Sequence, residues 1–149
     1  MSLIVRKIKS FIKVDFKSKI DFIYAYFYTG IFRMYILFMP FNKLRKKMGK
    51  CKEESPEDAE NKDYVEAQRI SWIINNASRF TPWESKCLVQ ALTAQKMLKN
   101  KGISSTLYLG VNKDENGKMI AHAWIRCGKY CVTGGSEMKG FSVVAKFSS

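Results

Sequence analysis

What this sequence lacks narrows it first. Of 149 residues one is histidine, His122, and acidic side chains number 13 against 26 lysines and arginines. The four cysteines, Cys51, Cys87, Cys127 and Cys131, include one closely spaced pair. In a hairpin turning at Gly128 and Lys129, Cys127 and Cys131 face opposite sides, which speaks against a zinc site built on them with His122 and against a disulfide between them. No metal and no cofactor is expected. No helix-turn-helix, zinc-finger or RNP-like pattern accompanies the positive charge, so nucleic acid is not the expected partner. No signal peptide is read, because the apolar run near the start begins late and lacks a small-residue cleavage site. The expectation is a reduced cytoplasmic protein, membrane-associated if its N-terminal helix docks on lipid. Neither an internal repeat nor a low-complexity tract is visible.

What is present suffices for a core. Apolar residues make up 46% of a 17.2 kDa chain, which fits one domain with a small appendage. The net charge of +13 is read either as solvated surface or as attraction to acidic peptide, partner or lipid. It is concentrated early, in "RKIKSFIKVDFKSK" and "NKLRKKMGK", among large apolar side chains.

Residues 1–50 read as a basic, apolar helical segment, with Ile4, Ile8, Phe11 and Ile12 at helical spacing. The run "IDFIYAYFYTGIFRMYILFMPF" ends at Pro40, which cannot continue a helix. Three readings of it stay open: a helix packed on the core, an in-plane membrane or partner-docking helix, and a true span, weakened by Asp21, Gly30 and Arg33. Residues 51–64 read as a polar linker, and residues 65–149 as the main domain. There, Val65, Ile70, Ile73 and Ile74 mark one helix ending near Asn75 and Asn76. "TPWESKCLVQALTAQKMLKNKGI" marks a second, with a Thr81/Glu84 capping box, Pro82 at its first turn, Ser85 as a further N-cap, and Gly102 past its end. Cys87, Ala91, Ala94 and Leu98 lie on one face of that helix. The period then changes to two: "STLYLGV", "MIAHAWIRC" and "YCVTGG" read as strands, and "FSVVAKF" adds a fourth. Helices first, then an antiparallel sheet, make the class α+β.

A cysteine early in a helix is placed to act as a nucleophile, since free N–H groups and the helix dipole favour thiolate over thiol. A histidine on a strand packed against that helix supplies the base. Cys87 and His122 are therefore the candidate pair, with buried thiol and satisfied core imidazole as the alternative. With the Gly128-Lys129 turn, Trp124 faces Thr133 and His122 faces Gly135, so Thr133 projects beside His122 and its hydroxyl is a candidate to orient the ring in place of a carboxylate. No acid occurs on the hairpin before Glu137, and Asp114 and Glu115 lie in the preceding loop. The Cys87 backbone N–H is the expected oxyanion donor. Trp83 and Trp124 are candidates for walls beside the thiol or for ordinary core.

Pro-Trp shortly before "CL", a helix ending in "L..KGI", a strand closing on "LGV", then "AHAW" and a hairpin ending in "GG" together make residues 65–147 resemble the transglutaminase-like leader peptidases of lasso-peptide biosynthesis, the group that contains the microcin-processing protein. The resemblance implies a papain/transglutaminase-like core, Cys87 as nucleophile and His122 as general base. It also implies removal of the leader of a ribosomally made precursor, and an ATP-dependent lactam cyclase acting afterwards. A leader-binding partner is expected as a separate polypeptide. The same thioester permits acyl transfer to an amine, and a non-catalytic peptide-binding scaffold is the reading from a different class. The departure is at the third position, where Gly134 stands in place of the family's Asp.

Overall fold

The computed structural model describes residues 3–13 and 15–149. Within the expected N-terminal helical segment, α1 covers Leu3–Ile12 and α2 covers Phe16–Phe38; the side chains of Ile4, Ile8 and Phe11, on which the periodicity partly rested, lie outside the described residues. The Asp15 carboxylate caps α2 by accepting from the Ser18 N–H. At the other end the Met39 N–H still reaches the Tyr35 carbonyl, and Pro40 then turns the chain into α3 (Phe41–Leu44).

Helix α2 packs on the core, the first of the three readings. One face buries Ser18, Asp21, Ala25, Thr29 and Phe32 against α4 (Asn61–Ala77) and α5 (Cys87–Asn100). A buried carboxylate is costly unless paired. Asp21 accepts from Arg69 of α4 and lies 3.4 Å from Lys101 past α5, while Arg69 also grips Glu66 and donates to Ser18 Oγ at 3.0 Å. The Glu66 and Asp21 carboxylates hold the Arg69 guanidinium above its ordinary value. Deleting either partner would leave an uncompensated charge inside, so this cluster fixes α2 to α4. Among the described residues, no helix is long and apolar enough to cross a membrane.

Five antiparallel strands form one sheet in the order β1-β5-β2-β3-β4: β1 is Lys50–Cys51, β2 Thr106–Lys113, β3 Met119–Cys127, β4 Tyr130–Thr133 and β5 Ser142–Ser148. The expected fourth strand is thus β5, inserted between β1 and β2. Ile70, Ile73 and Ile74 of α4, Leu92 and Leu98 of α5, and Leu107, Ile125 and Phe147 of the sheet are almost completely buried together. Val65, which marks α4 by its spacing, is exposed. Leu44 and Met48 join the same core as Ala25 and Phe32, so α2 and the turns after it share the core of the strands and of α4 and α5. The stretch expected as a linker is tied down as well: Cys51 pairs with Phe147, the Ser55 hydroxyl meets that of Thr106 at 2.6 Å, and Arg126 donates to the Ser55 and Pro56 carbonyls.

Candidate active site

The capping box does not form. Thr81 spends its hydroxyl on Ser85 Oγ at 2.8 Å and on the Trp83 and Ser78 carbonyls, while Glu84 is drawn to Arg33 of α2 (3.1 Å) and to Lys86 (2.7 Å). Trp83 leaves the line of the helix altogether: its Nε1–H donates to Thr29 Oγ1 at 3.0 Å and its ring meets Tyr26 edge-on. Gly30 permits that seat, since a Cβ there would lie 2.9 Å from the indole. These tertiary contacts hold residues 81–86 as a loop, and α5 begins at Cys87 itself with Lys86 as a cap that contributes no side-chain bond. Among the described residues the N–H groups of the first turn therefore have no side-chain acceptor, and such an end favours negative charge beside it. At the far end the Gly102 and Ile103 N–H groups return to the Lys99 and Leu98 carbonyls, which stops the helix cleanly. In between, Ala91, Ala94 and Leu98 are fully buried, as their small-residue face requires.

His122 is held differently. Its ring is buried, 6% exposed, between Trp124 at 5.8 Å and Phe141 at 5.3 Å. Nε2 lies 2.8 Å from the Gly134 carbonyl oxygen. A carbonyl only accepts, so Nε2 carries the proton and Nδ1 of the neutral ring is the free base. The Glu137 carboxylate lies 4.0 Å from Nδ1, on an exposed side chain.

The group on the ring is thus a backbone carbonyl and not the Thr133 hydroxyl. The reason is register. Cys127 pairs with Tyr130 and Arg126 with Cys131 as expected, but Ile125 pairs with Thr133 in place of Val132. One extra residue, Val132, bulges out, so Thr133 stands opposite Ile125 and not Trp124. Its hydroxyl is buried and, among the described residues, has no hydrogen-bond partner. The shift brings Gly134 under the imidazole with φ 75°. A Cβ there would lie 2.5 Å from the Ala123 carbonyl oxygen and 3.0 Å from His122 Nε2. An aspartate at this position would meet the backbone before it could serve the ring.

Cys87 and His122 line one open cleft of about 890 Å³. Its walls come from Gln68, Ser71, Trp72 and Asn75 of α4, from Ser85, Lys86, Cys87 and Gln90 around the start of α5, and from Tyr130 to Glu137. The Ser71 hydroxyl donates to the Val132 carbonyl, joining the two walls at the bulge. Neither Trp83 nor Trp124 lines the cleft: the first is packed on α2 and the second stacks between His122 and Tyr108. The aromatic walls are Tyr130 and Trp72, the latter legible only as part of a stripe, Gln68, Ser71/Trp72 and Asn75, opposite the buried isoleucines of α4. Of the other cysteines, Cys127 is in the core and Cys131 beside the cleft, and burial pushes both thiols up.

The sequence model of the transglutaminase-like superfamily matches residues 35–146, three quarters of the chain and both candidate residues. The chain belongs to the transglutaminase-like superfamily. Comparisons with curated proteins and with solved structures gave no match. The superfamily's cysteine-dependent chemistry is carried on an α+β core in which a helix brings the thiol to a sheet. In this transglutaminase-like chain α5 packs on β3, the strand of His122. The match begins at residue 35, near the end of α2, so Tyr26, Thr29 and Gly30, which seat Trp83, lie ahead of it.

Proposed function

We propose that this chain is a cysteine peptidase that removes the leader of a ribosomally made lasso-peptide precursor, working with a separate leader-binding partner and an ATP-dependent lactam cyclase. The observation that carries the peptidase reading is the cleft itself: Cys87 at an uncapped helix start and His122 with Nδ1 left free line one open groove. Amide and hydroxyl groups of Gln68, Ser71, Asn75 and Gln90 border it. An extended peptide needs such partners for its own N–H and C=O groups. The precursor class and the two partners rest on the motif resemblance described above.

In this reading Nδ1 of His122 takes the Cys87 proton as Sγ attacks the scissile carbonyl. The oxygen gains the charge, and the Cys87 backbone N–H donates to it. As the C–N bond breaks, the proton passes from Nδ1 to the leaving amine and a thioester remains. Water then adds to the thioester, gives its proton to Nδ1, and releases the free acid and the thiol. The Gly134 carbonyl holds Nε2–H throughout, so the ring works with one nitrogen.

The test mixes purified chain, precursor and leader-binding partner and follows product masses. Two cleavage products from wild type and intact precursor from Cys87→Ala and His122→Ala are expected. Wild-type cleavage by either variant would end the mechanism. A product that gains the mass of an added primary amine in place of water would make the chain an acyltransferase, and failure of Cys87 to take a thiol-directed electrophile would favour a scaffold.

A further inference from the structure

Helix α2 has a second face that the core does not use. At about 100° per residue, Phe16, Ile20, Ile23, Tyr24, Phe27, Ile31, Met34, Leu37 and Phe38 fall within an arc of roughly 140° opposite the buried side. All nine are exposed; Phe27 and Met34 at mid-helix are each 60% open, and Phe38 is 80% open. No acidic residue falls inside the arc; Lys19 lies at one edge, level with Leu37, and Lys17 just beyond the other. Scattered exposed apolar residues need no explanation, but a continuous stripe along a helix of 23 residues does.

The charge of the segment that carries the stripe is mostly of one sign. Twelve of the 26 basic residues but only two of the 13 acids lie in the first fifty positions. Of those two acids, Asp21 is buried on Arg69 and Lys101, and Asp15 caps α2. Beside the stripe, and sharing Ile31 with it, runs a groove of about 370 Å³ bordered by Lys46, Lys47, Lys96 and Lys99 and by no aspartate or glutamate. Lys47 sits over the Tyr35 ring at 5.2 Å, and among the described residues none of the four lysines has an ion-pair partner. Aromatic and aliphatic side chains in one plane, rimmed by unpaired lysines, match the acyl boundary and headgroup phosphates of an anionic lipid surface.

A second copy of the chain fits less well. An isologous contact would press the same basic face of two copies together, with +13 on each partner. We infer that the outer face of α2 docks in the plane of an anionic membrane, with the lysine groove taking lipid phosphates. This leaves the chain on the surface and across nothing, in keeping with the absence of a spanning helix among the described residues. The inference does not depend on the peptidase reading.

Co-sedimentation of the full chain with vesicles tests it. Binding to vesicles of phosphatidylglycerol and phosphatidylcholine is expected, with at least tenfold less on phosphatidylcholine alone and a decline as salt rises. Phe27→Glu/Met34→Glu should lower binding at least tenfold, Phe27→Ala by less, and Lys46→Gln and Lys99→Gln roughly fivefold each. Lys113→Gln, on the β2–β3 hairpin, should change nothing. Circular dichroism confirms that each variant is folded, and Phe27→Ala serves if the double variant is not. The inference is overturned by equal binding to the two lipids, by binding that Phe27→Ala and the lysine variants leave unchanged, or by no binding at all. It is also overturned by a dimer in solution that Phe27→Ala dissolves, which would assign the stripe to a second copy.

Discussion

The two sides of the cleft are built on opposite plans. Cys87 stands at the first position of a helix whose cap supplies no side-chain bond, after a loop pulled toward α2 by Trp83 and Glu84. His122 is enclosed, with aromatic rings against it and one nitrogen fixed by a peptide carbonyl. A nucleophile must meet substrate and benefits from unspent N–H groups; a base must present one nitrogen and benefits from having no freedom. On the proposed reading, the side that lacks a cap is the reactive one, and the side that lacks an acid has a backbone carbonyl in its place.

Removing the reactive side should cost most. Cys87→Ala and His122→Ala are expected to lower kcat by about 10⁴-fold or more in the reconstituted cleavage reaction, with thermal unfolding near wild type for Cys87→Ala and lowered for His122→Ala, which empties a buried ring site. The next largest effect comes from disturbing the clamp. Gly134→Ala puts a methyl against the Ala123 carbonyl at a positive φ, which should cost about 1–3 kcal/mol of stability and, by displacing the ring, roughly 10²-fold in kcat. Gly134→Asp should do no better than alanine. Recovery of activity by the aspartate would mean that the acid is missing only by substitution and that the carbonyl is incidental.

Cys87 and His122 were legible because each announces itself chemically, one by its place near a helix start and the other by being the only histidine. The α+β order and β5 followed from periodicity. Three things were not legible, for physical reasons. The helix start slipped from Pro82 to Cys87 because Thr81, Trp83 and Glu84 found partners far along the chain that outweigh a local cap. The carbonyl clamp was hidden because a one-residue bulge at Val132 breaks the pairing rule on which the Thr133 assignment depended. Trp72 was overlooked because a cleft wall on a helix reads as an ordinary solvent face until something opposes it. Helix α2 could not be assigned because its sequence serves two faces at once, one buried on Arg69 and one apolar and open.

The thiols sharpen the contrast in another way. Iodoacetamide at neutral pH should label Cys87 and exposed Cys51 before Cys127 and Cys131, whose thiols burial holds up. The sign for stability follows. As pH rises past about 8.5, the unfolded chain releases these two protons while the folded chain still holds them. Stability from this source is therefore constant below that pH and falls above it, and Cys131→Ala should reduce the alkaline slope of the urea midpoint. A smaller effect again is expected from Glu137→Gln. An exposed carboxylate 4.0 Å from Nδ1 stabilises the protonated ring weakly, so kcat/KM should fall about two- to fivefold at low salt and by nothing measurable at high salt. A larger loss that persists in salt would make Glu137 the true third member of the site.

The smallest expected change in activity is also the one that separates the two accounts of the ring. Thr133→Val keeps the shape of the side chain and removes a hydroxyl that is buried and, among the described residues, without a partner. If the Gly134 carbonyl alone orients His122, cleavage should be unaltered, and stability should rise by up to about 1 kcal/mol because an unsatisfied polar group leaves the interior. If the hydroxyl bonds the ring in the working enzyme, the same variant loses activity and gains no stability. Urea midpoints and kcat measured on one preparation decide between them, because one account raises the midpoint and leaves kcat unchanged while the other lowers kcat and leaves the midpoint no higher.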